Sequence, residues 1–200
     1  MPHDTTAECF KSSADLCMRS GDGRNNVQPG LTLLQIIDVR LHNLCAKRMS
    51  HYNKEWDDEK IYQECRRIVI AISQHITYNE YLPLLLGYSY AKQWDLLSPT
   101  KGYSYDYDEN VNPWTFAEFS SAAFRHHSSI YGRVVLMDEY YQPKASYPLE
   151  NLYNSNKLFK EPQNFDMLVR GYLTVPQRKI DKYFDSAVSF RFIGPILVNI

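Results

Sequence analysis

The chain has 200 residues, a formal net charge of −1, 22% charged residues and 16 tyrosines. That is long enough for one domain with its own core. The near-neutral balance and the lack of a Lys/Arg-rich run argue against nucleic acid or an anionic membrane surface as the main partner, and no apolar stretch reaches the roughly 18 residues of a membrane span.

The start, MPHDTTAECF, has no basic region followed by an apolar one, so no signal peptide is visible. A polar, Gly-rich loop runs from Ser20 to Thr32 with Arg24 at its centre and leads directly into a helical pattern. Apolar residues at helical spacing (Leu31, Leu34, Leu41, Leu44, Cys45, Met49) predict a helix over Leu31–His51. A cleaner stripe, Ile61, Cys65, Ile68, Val69, Ile72 and Ile76, predicts a second helix over Ile61–Asn79. Asp57 and Asp58 suit its N-cap and first turn, and Pro83 is expected to end it.

Residues 88–113 are rich in Tyr, Ser, Asp and Asn and read as a loop. Asn112-Pro113 then opens a third helix, expected over Trp114–Ile130. Residues 137–165 show no stable period, and residues 166–190 read as one or two short helices. No strand alternation persists and no repeat is evident. The fold class predicted is mainly α, with long irregular connections. Such loops in a compact domain need a reason, and wrapping a cofactor is one.

The four cysteines, Cys9, Cys17, Cys45 and Cys65, match no zinc spacing. Cys45 and Cys65 sit on apolar helix faces and read as buried free thiols. No N-x-[ST] sequon occurs, so glycosylation gives no sign of secretion.

The segment Ser20-Gly21-Asp22-Gly23-Arg24-Asn25-Asn26-Val27-Gln28-Pro29-Gly30-Leu31-Thr32 resembles the GDxRxNExPGLT loop of the animal haem peroxidases. The likeness continues. Leu31–His51 resembles that family's LTxLHTLxLREHNRxA helix. Residues 56–64, WDDEKIYQE, resemble its tryptophan-led QEAR run, and residues 74–83, QHITYNEYLP, resemble QxITYxEYLP. Phe124-Arg125-His126-His127-Ser128-Ser129-Ile130 resembles the FRYxH[ST]xI segment that carries the proximal haem ligand. The motifs keep the family's order and spacing and are strongest over residues 17–190. The resemblance implies one partial haem peroxidase domain over residues 1–200, helical and incomplete at both ends. The motif with the distal His and a calcium-ligand Asp is expected before residue 1, and the Asn that supports the proximal His beyond residue 200. Cys9 and Cys17 resemble a family disulfide near the loop, which fits an oxidising compartment.

A peroxidase needs an imidazole below haem iron, a base that moves the peroxide proton and a cation where the O–O bond breaks. The resemblance implies haem b as cofactor, with His127 as axial ligand, His126 as the rival, and Arg24, Gln28 and Arg125 beside the ring. His127 is preferred because Asp138 and Tyr141-Gln142-Pro143 follow it in the family's register. Between Arg125 and His127 one residue is missing against the family pattern, which would rotate a helix by about 100° there. No distal His candidate is found, and neither are calcium ligands. Val27 stands where the family usually has a Glu, so a haem ester cannot form there. Gln35 and Leu41 are further departures, while Arg40, His42 and Asn43 match. His42, Asn43, His75 and Glu80 read as structural. The function implied is oxidation of a donor by hydrogen peroxide, outside the cell or in response to oxidative stress. The alternative is an inactive peroxidase-like protein that at most binds haem. The donor and the oligomeric state are not legible.

Overall fold

The computed structural model describes residues 3–4, 17–99 and 101–192. It is mainly α, as expected. Among the described residues two short ribbons accompany the helices: β1 (His3–Asp4) pairs antiparallel with β2 (Cys17–Met18), and β3 (Arg133–Met137) with β4 (Pro143–Pro148). The helices are α1 (Pro29–Tyr52), α2 (Asp58–Ile76), α3 (Leu82–Leu86), α4 (Tyr88–Gln93), α5 (Pro162–Thr174) and α6 (Ser186–Phe192). No helix among the described residues is long and apolar enough to cross a membrane. The chain divides into two compact units, residues 1–37 with 115–200, and residues 38–114.

The first unit holds the main core. Leu33 of α1, Val134 and Leu136 of β3, Leu149, Leu152, Leu158, Leu168 of α5 and Ala187 of α6 pack into one cluster. Leu152 and Leu168 are fully buried, and each buried leucine contributes about 1.5–3 kcal/mol. β3 and α5 meet closely because of Gly171. A Cβ there would overlap the Val135 carbonyl oxygen.

The β3–β4 hairpin is absent from the sequence-based expectation, which saw no period across residues 137–165. Asp138 makes its turn. Its Oδ1 accepts from the Tyr140 and Gln142 amides at 2.9 and 2.8 Å, and Tyr141 takes a positive φ of 60°. The register pairs Arg133 with Pro148 and Val135 with Ser146, and it shifts between Leu136 and Met137. That bulge and the two bordering prolines blur alternation in the sequence.

In the second unit α2 begins as expected. The Asp57 side chain accepts from the Lys60 amide at 2.8 Å. Only Ile61 and Cys65 of its apolar stripe are buried, however, while Ile68, Ile72 and Ile76 stay exposed. Pro83 does not end the helical path. A π-helical turn, Thr77–Tyr81, leads into α3, where Pro83 sits in the first turn. There its missing N–H needs no partner. Gly87, with φ 88°, makes the break instead, and α4 follows within the segment expected to be a loop.

The third expected helix, Trp114–Ile130, is corrected to a π-helical turn over Phe119–Ala123 and a 3-10 turn over His127–Ser129. The Ser120 and Ser121 hydroxyls both donate to the Ala117 carbonyl at 2.8 Å, competing with the helical ladder. Residues 114–125 are exposed throughout, so no packing holds a longer helix in place. The segments expected over residues 166–190 appear as α5 and α6.

Candidate functional site

The Arg24 loop is held by asparagines. Asn25 and Asn26 donate through Nδ2 to the Met18 carbonyl at 3.1 and 2.9 Å, and Asn26 Oδ1 accepts from the Met18 amide. Asn156 Nδ2 donates to the same Asn26 oxygen at 3.0 Å, tying the loop to a segment 130 residues away. The Thr32 hydroxyl, buried at the start of α1, donates to the Asn25 carbonyl at 2.7 Å. Cys17, beside the loop, is disulfide-bonded; the expected pairing with Cys9 lies outside the described residues.

Arg24 itself is exposed and forms a fork with Asp22. Its Nε and Nη2 donate to the two carboxylate oxygens at 3.0 and 2.7 Å. The Arg24 amide adds a third bond to Asp22 Oδ1 at 2.7 Å, an Asx turn that bends the loop. These bonds hold the Asp22 carboxyl down at about 2 and raise the Arg24 guanidinium.

His127 begins the 3-10 turn. The turn is pinned from residues further along the chain: Ser128 Oγ, buried, accepts from the Asp181 amide at 3.1 Å, and the Ser129 carbonyl accepts from the Arg178 amide at 3.0 Å. The Ser129 hydroxyl donates to the His126 carbonyl at 2.6 Å.

These segments meet at a cavity of about 790 Å³ within the first unit. Arg24, Gln28, Arg125 and His127 all line it; His126 does not. Gln28 caps α1, its Oε1 accepting from the Gly30 amide at 2.7 Å and from the Tyr172 hydroxyl at 3.3 Å. The Tyr172 hydroxyl end lies against Gly30, and burial pushes its pKa up to about 12. Arg125 donates to the Ser120 carbonyl at 3.1 Å and lies over the Phe124 ring at 4.6 Å.

The sequence reading missed Arg133, Asp22 and Tyr172, which also line the cavity. Arg133 sits on β3, a strand the sequence did not announce, and bonds Ser146 through Nε at 2.8 Å. The walls are otherwise apolar, with Leu31, Phe124, Ile130 and Val134 among them. An apolar cleft of this volume with a few convergent polar groups suits a cofactor-sized ligand. Three guanidinium groups at its lining suit one that carries carboxylates. An imidazole among them suits one that carries a metal. A flat, apolar, dianionic iron macrocycle has all three properties, so the residues present fit haem.

Elsewhere, His42 Nε2 lies 3.2 Å from the Tyr62 carbonyl oxygen, and Asn79 Nδ2 bonds both the ring and the carbonyl of His75 at 3.1 Å. Cys45 and Cys65 are free thiols. No group of three or more His, Cys, Asp or Glu side chains among the described residues is placed to hold a metal ion.

A helical fold with a cavity suited to haem defines a class, and comparison with known proteins names it. The animal haem peroxidase family model matches residues 1–196. The chain is 38% identical to a peroxidase of Drosophila melanogaster over 192 residues, 94% of this chain and 28% of the relative. It is 36% identical to a chorion peroxidase of Aedes aegypti, covering 85% of this chain and 22% of that protein. Its fold matches that of peroxidase A from Dictyostelium discoideum with a TM-score of 0.76 at 30% identity, over 93% of this chain and 34% of the solved one. The chain belongs to the animal haem peroxidase family. It spans 28% and 22% of the length of those two curated relatives.

Proposed function

We propose that this chain binds haem b in the cavity lined by Arg24, Gln28, Arg125 and His127, and that it serves a peroxidase which oxidises a donor with hydrogen peroxide. One observation carries the reading: four residues singled out by motif, from segments about a hundred residues apart in sequence, line a single cavity. Family membership supports the same chemistry. When bound, haem supplies the iron that reduces peroxide and draws electrons from the donor.

The chain's own residues have distinct parts. His127 would hold the haem iron through a ring nitrogen, on a turn anchored at Ser128 and Ser129. Arg24 brings a permanent positive charge for the oxygen on which charge develops as the peroxide bond breaks, and Asp22 holds its fork. Arg125 and Arg133 offer guanidinium donors to the carboxylates of the ring. Gln28, its Oε1 held by the Gly30 amide, would offer its Nε2 as a donor to a ligand in the cavity. The apolar side chains of the wall would pack against the macrocycle. The Cys17 disulfide supports an extracellular or lumenal setting, where such bonds persist.

The test is a haem titration followed by Soret absorbance on the wild type, His127→Ala and His126→Ala, then a donor-oxidation assay against free haemin. His127→Ala is expected to lose the axial-ligand Soret shift, and His126→Ala to keep it. The reverse result would reassign the ligand to His126. No Soret shift in the wild type would overturn haem binding. A shift in the wild type without turnover above haemin would favour the alternative, a haem-binding peroxidase-like protein without activity.

A further inference from the structure

We propose that Cys45 and Cys65 are a peroxide-oxidised pair, closing a disulfide that staples α1 to α2. Both belong to the second unit and both are free thiols in the structure. They are not two isolated cysteines, since Cys45 lies close enough to act electrostatically on the thiol of Cys65. A neighbouring contact fixes the same two helix faces against each other. Three residues before each cysteine, His42 Nε2 lies 3.2 Å from the Tyr62 carbonyl oxygen, and their rings are 5.2 Å apart at 56°. Residues three apart share a helix face, so His42 with Cys45 opposes Tyr62 with Cys65.

The two sulfurs differ in access. Cys65 is fully buried and Cys45 half-buried. A lone buried cysteine is ordinarily an inert small hydrophobe. Two that face each other across a helix pair are a dithiol, and Cys17 shows that this chain already carries a disulfide. Such bonds persist in oxidising compartments, so the compartment favours closure. Exposure assigns the order of events. The Cys45 sulfur attacks hydrogen peroxide; the O–O bond breaks, one oxygen leaves as water with the thiol proton, and Cys45 becomes a sulfenic acid. The Cys65 sulfur then attacks the Cys45 sulfur; the S–O bond breaks, hydroxide leaves with the Cys65 proton as water, and the S–S bond forms. In sum two thiols are oxidised by two electrons and one peroxide is reduced to two waters. Burial holds the Cys65 pKa up at about 11, which suits a sulfur that stays protonated until its partner is oxidised. No haem takes part in either step, so the inference stands apart from the proposed function.

The experiment uses the full chain without haem, treated with an equimolar amount of hydrogen peroxide. Free thiols are alkylated after unfolding, and a non-reducing peptide map is read by mass spectrometry. The expected product is a peptide pair linked through Cys45 and Cys65, lighter by two hydrogens than the sum of the two peptides. In Cys65→Ser, Cys45 is expected to be trapped as a sulfenic acid by dimedone, and in Cys45→Ser, Cys65 is expected to remain alkylatable. If both wild-type thiols stay alkylatable after peroxide, or link only to other molecules, the pair is not a staple. Sulfenic acid on Cys65 in Cys45→Ser would reverse the order proposed.

Discussion

Arg24 donates three hydrogen bonds to one carboxylate, two from its guanidinium and one from its amide. The carboxylate is thereby favoured in its charged form, and the pKa of Asp22 drops to about 2 from 3.8. A depressed folded pKa contributes stability above the unfolded value of about 3.9, and this is lost as pH falls towards about 2. Urea midpoints measured from pH 6 to pH 2 are expected to show wild type above Asp22→Asn at the upper end and the gap closing at the lower. A gap that keeps its size at pH 2 would show that the fork does not couple to folding. Tyr172 has the opposite sign. Burial raises it to about 12 from 10.0, so its contribution is whole below pH 10 and disappears as pH rises through 12. Tyr172→Phe is expected to flatten the loss of stability between those limits, measured by fluorescence at fixed urea. Neither shift was legible in the sequence. Asp22 was visible as part of a motif, but Tyr172 reaches Gln28 across 144 positions, and nothing local announces such a partner.

At the scale of elements, local chemistry and tertiary contact part company. The Asp57 cap was legible because an N-cap acts within one turn. Asp57→Ala is expected to cost about 1 kcal/mol, within a range of about 0.5–2, read from the shift in urea midpoint of the helical circular dichroism signal. Gly171 was not legible as a key position, since a glycine inside a helix is ordinarily just a weak former. The Val135 carbonyl oxygen against its α-carbon makes it necessary. Gly171→Ala is expected to destabilise by about 1–3 kcal/mol or more, because β3 and α5 must separate. A midpoint unchanged within error would mean that this contact is not closely packed. The helix expected over Trp114–Ile130 failed for the related reason that serine hydroxyls and absent packing both act against it.

The molecule as a whole is unevenly packed. In the first unit Leu33, Val134, Leu136, Leu152 and Leu168 share one core. In the second, α2 buries only Ile61 and Cys65, and residues 101–114 are exposed without interruption, as are residues 115–125 where the chain returns to the first unit. Hydrogen exchange follows local burial and contact density. Amides of β3 and α5 are therefore expected to exchange orders of magnitude more slowly than those of residues 101–125. Mass-resolved exchange at neutral pH measures this directly, and equal rates in the two segments would mean that the buried cluster does not govern opening.

What the sequence determined by itself was whatever acts over short range or is carried by motif: membership of a haem peroxidase family, α1 and α2 with the Asp57 cap of the latter, and Arg24 and His127 as residues of interest. Short-range capping, period and turn chemistry are written in neighbouring letters. Tertiary structure alone decided that Arg24, Gln28, Arg125 and His127 line one cavity with Arg133 and Tyr172, that His126 does not, and that a β-hairpin rather than irregular chain follows His127. Those outcomes depend on bonds such as Asn156 to Asn26 and Asp181 to Ser128, which join residues 130 and 53 positions apart, and on a backbone approach that only a residue without a Cβ allows.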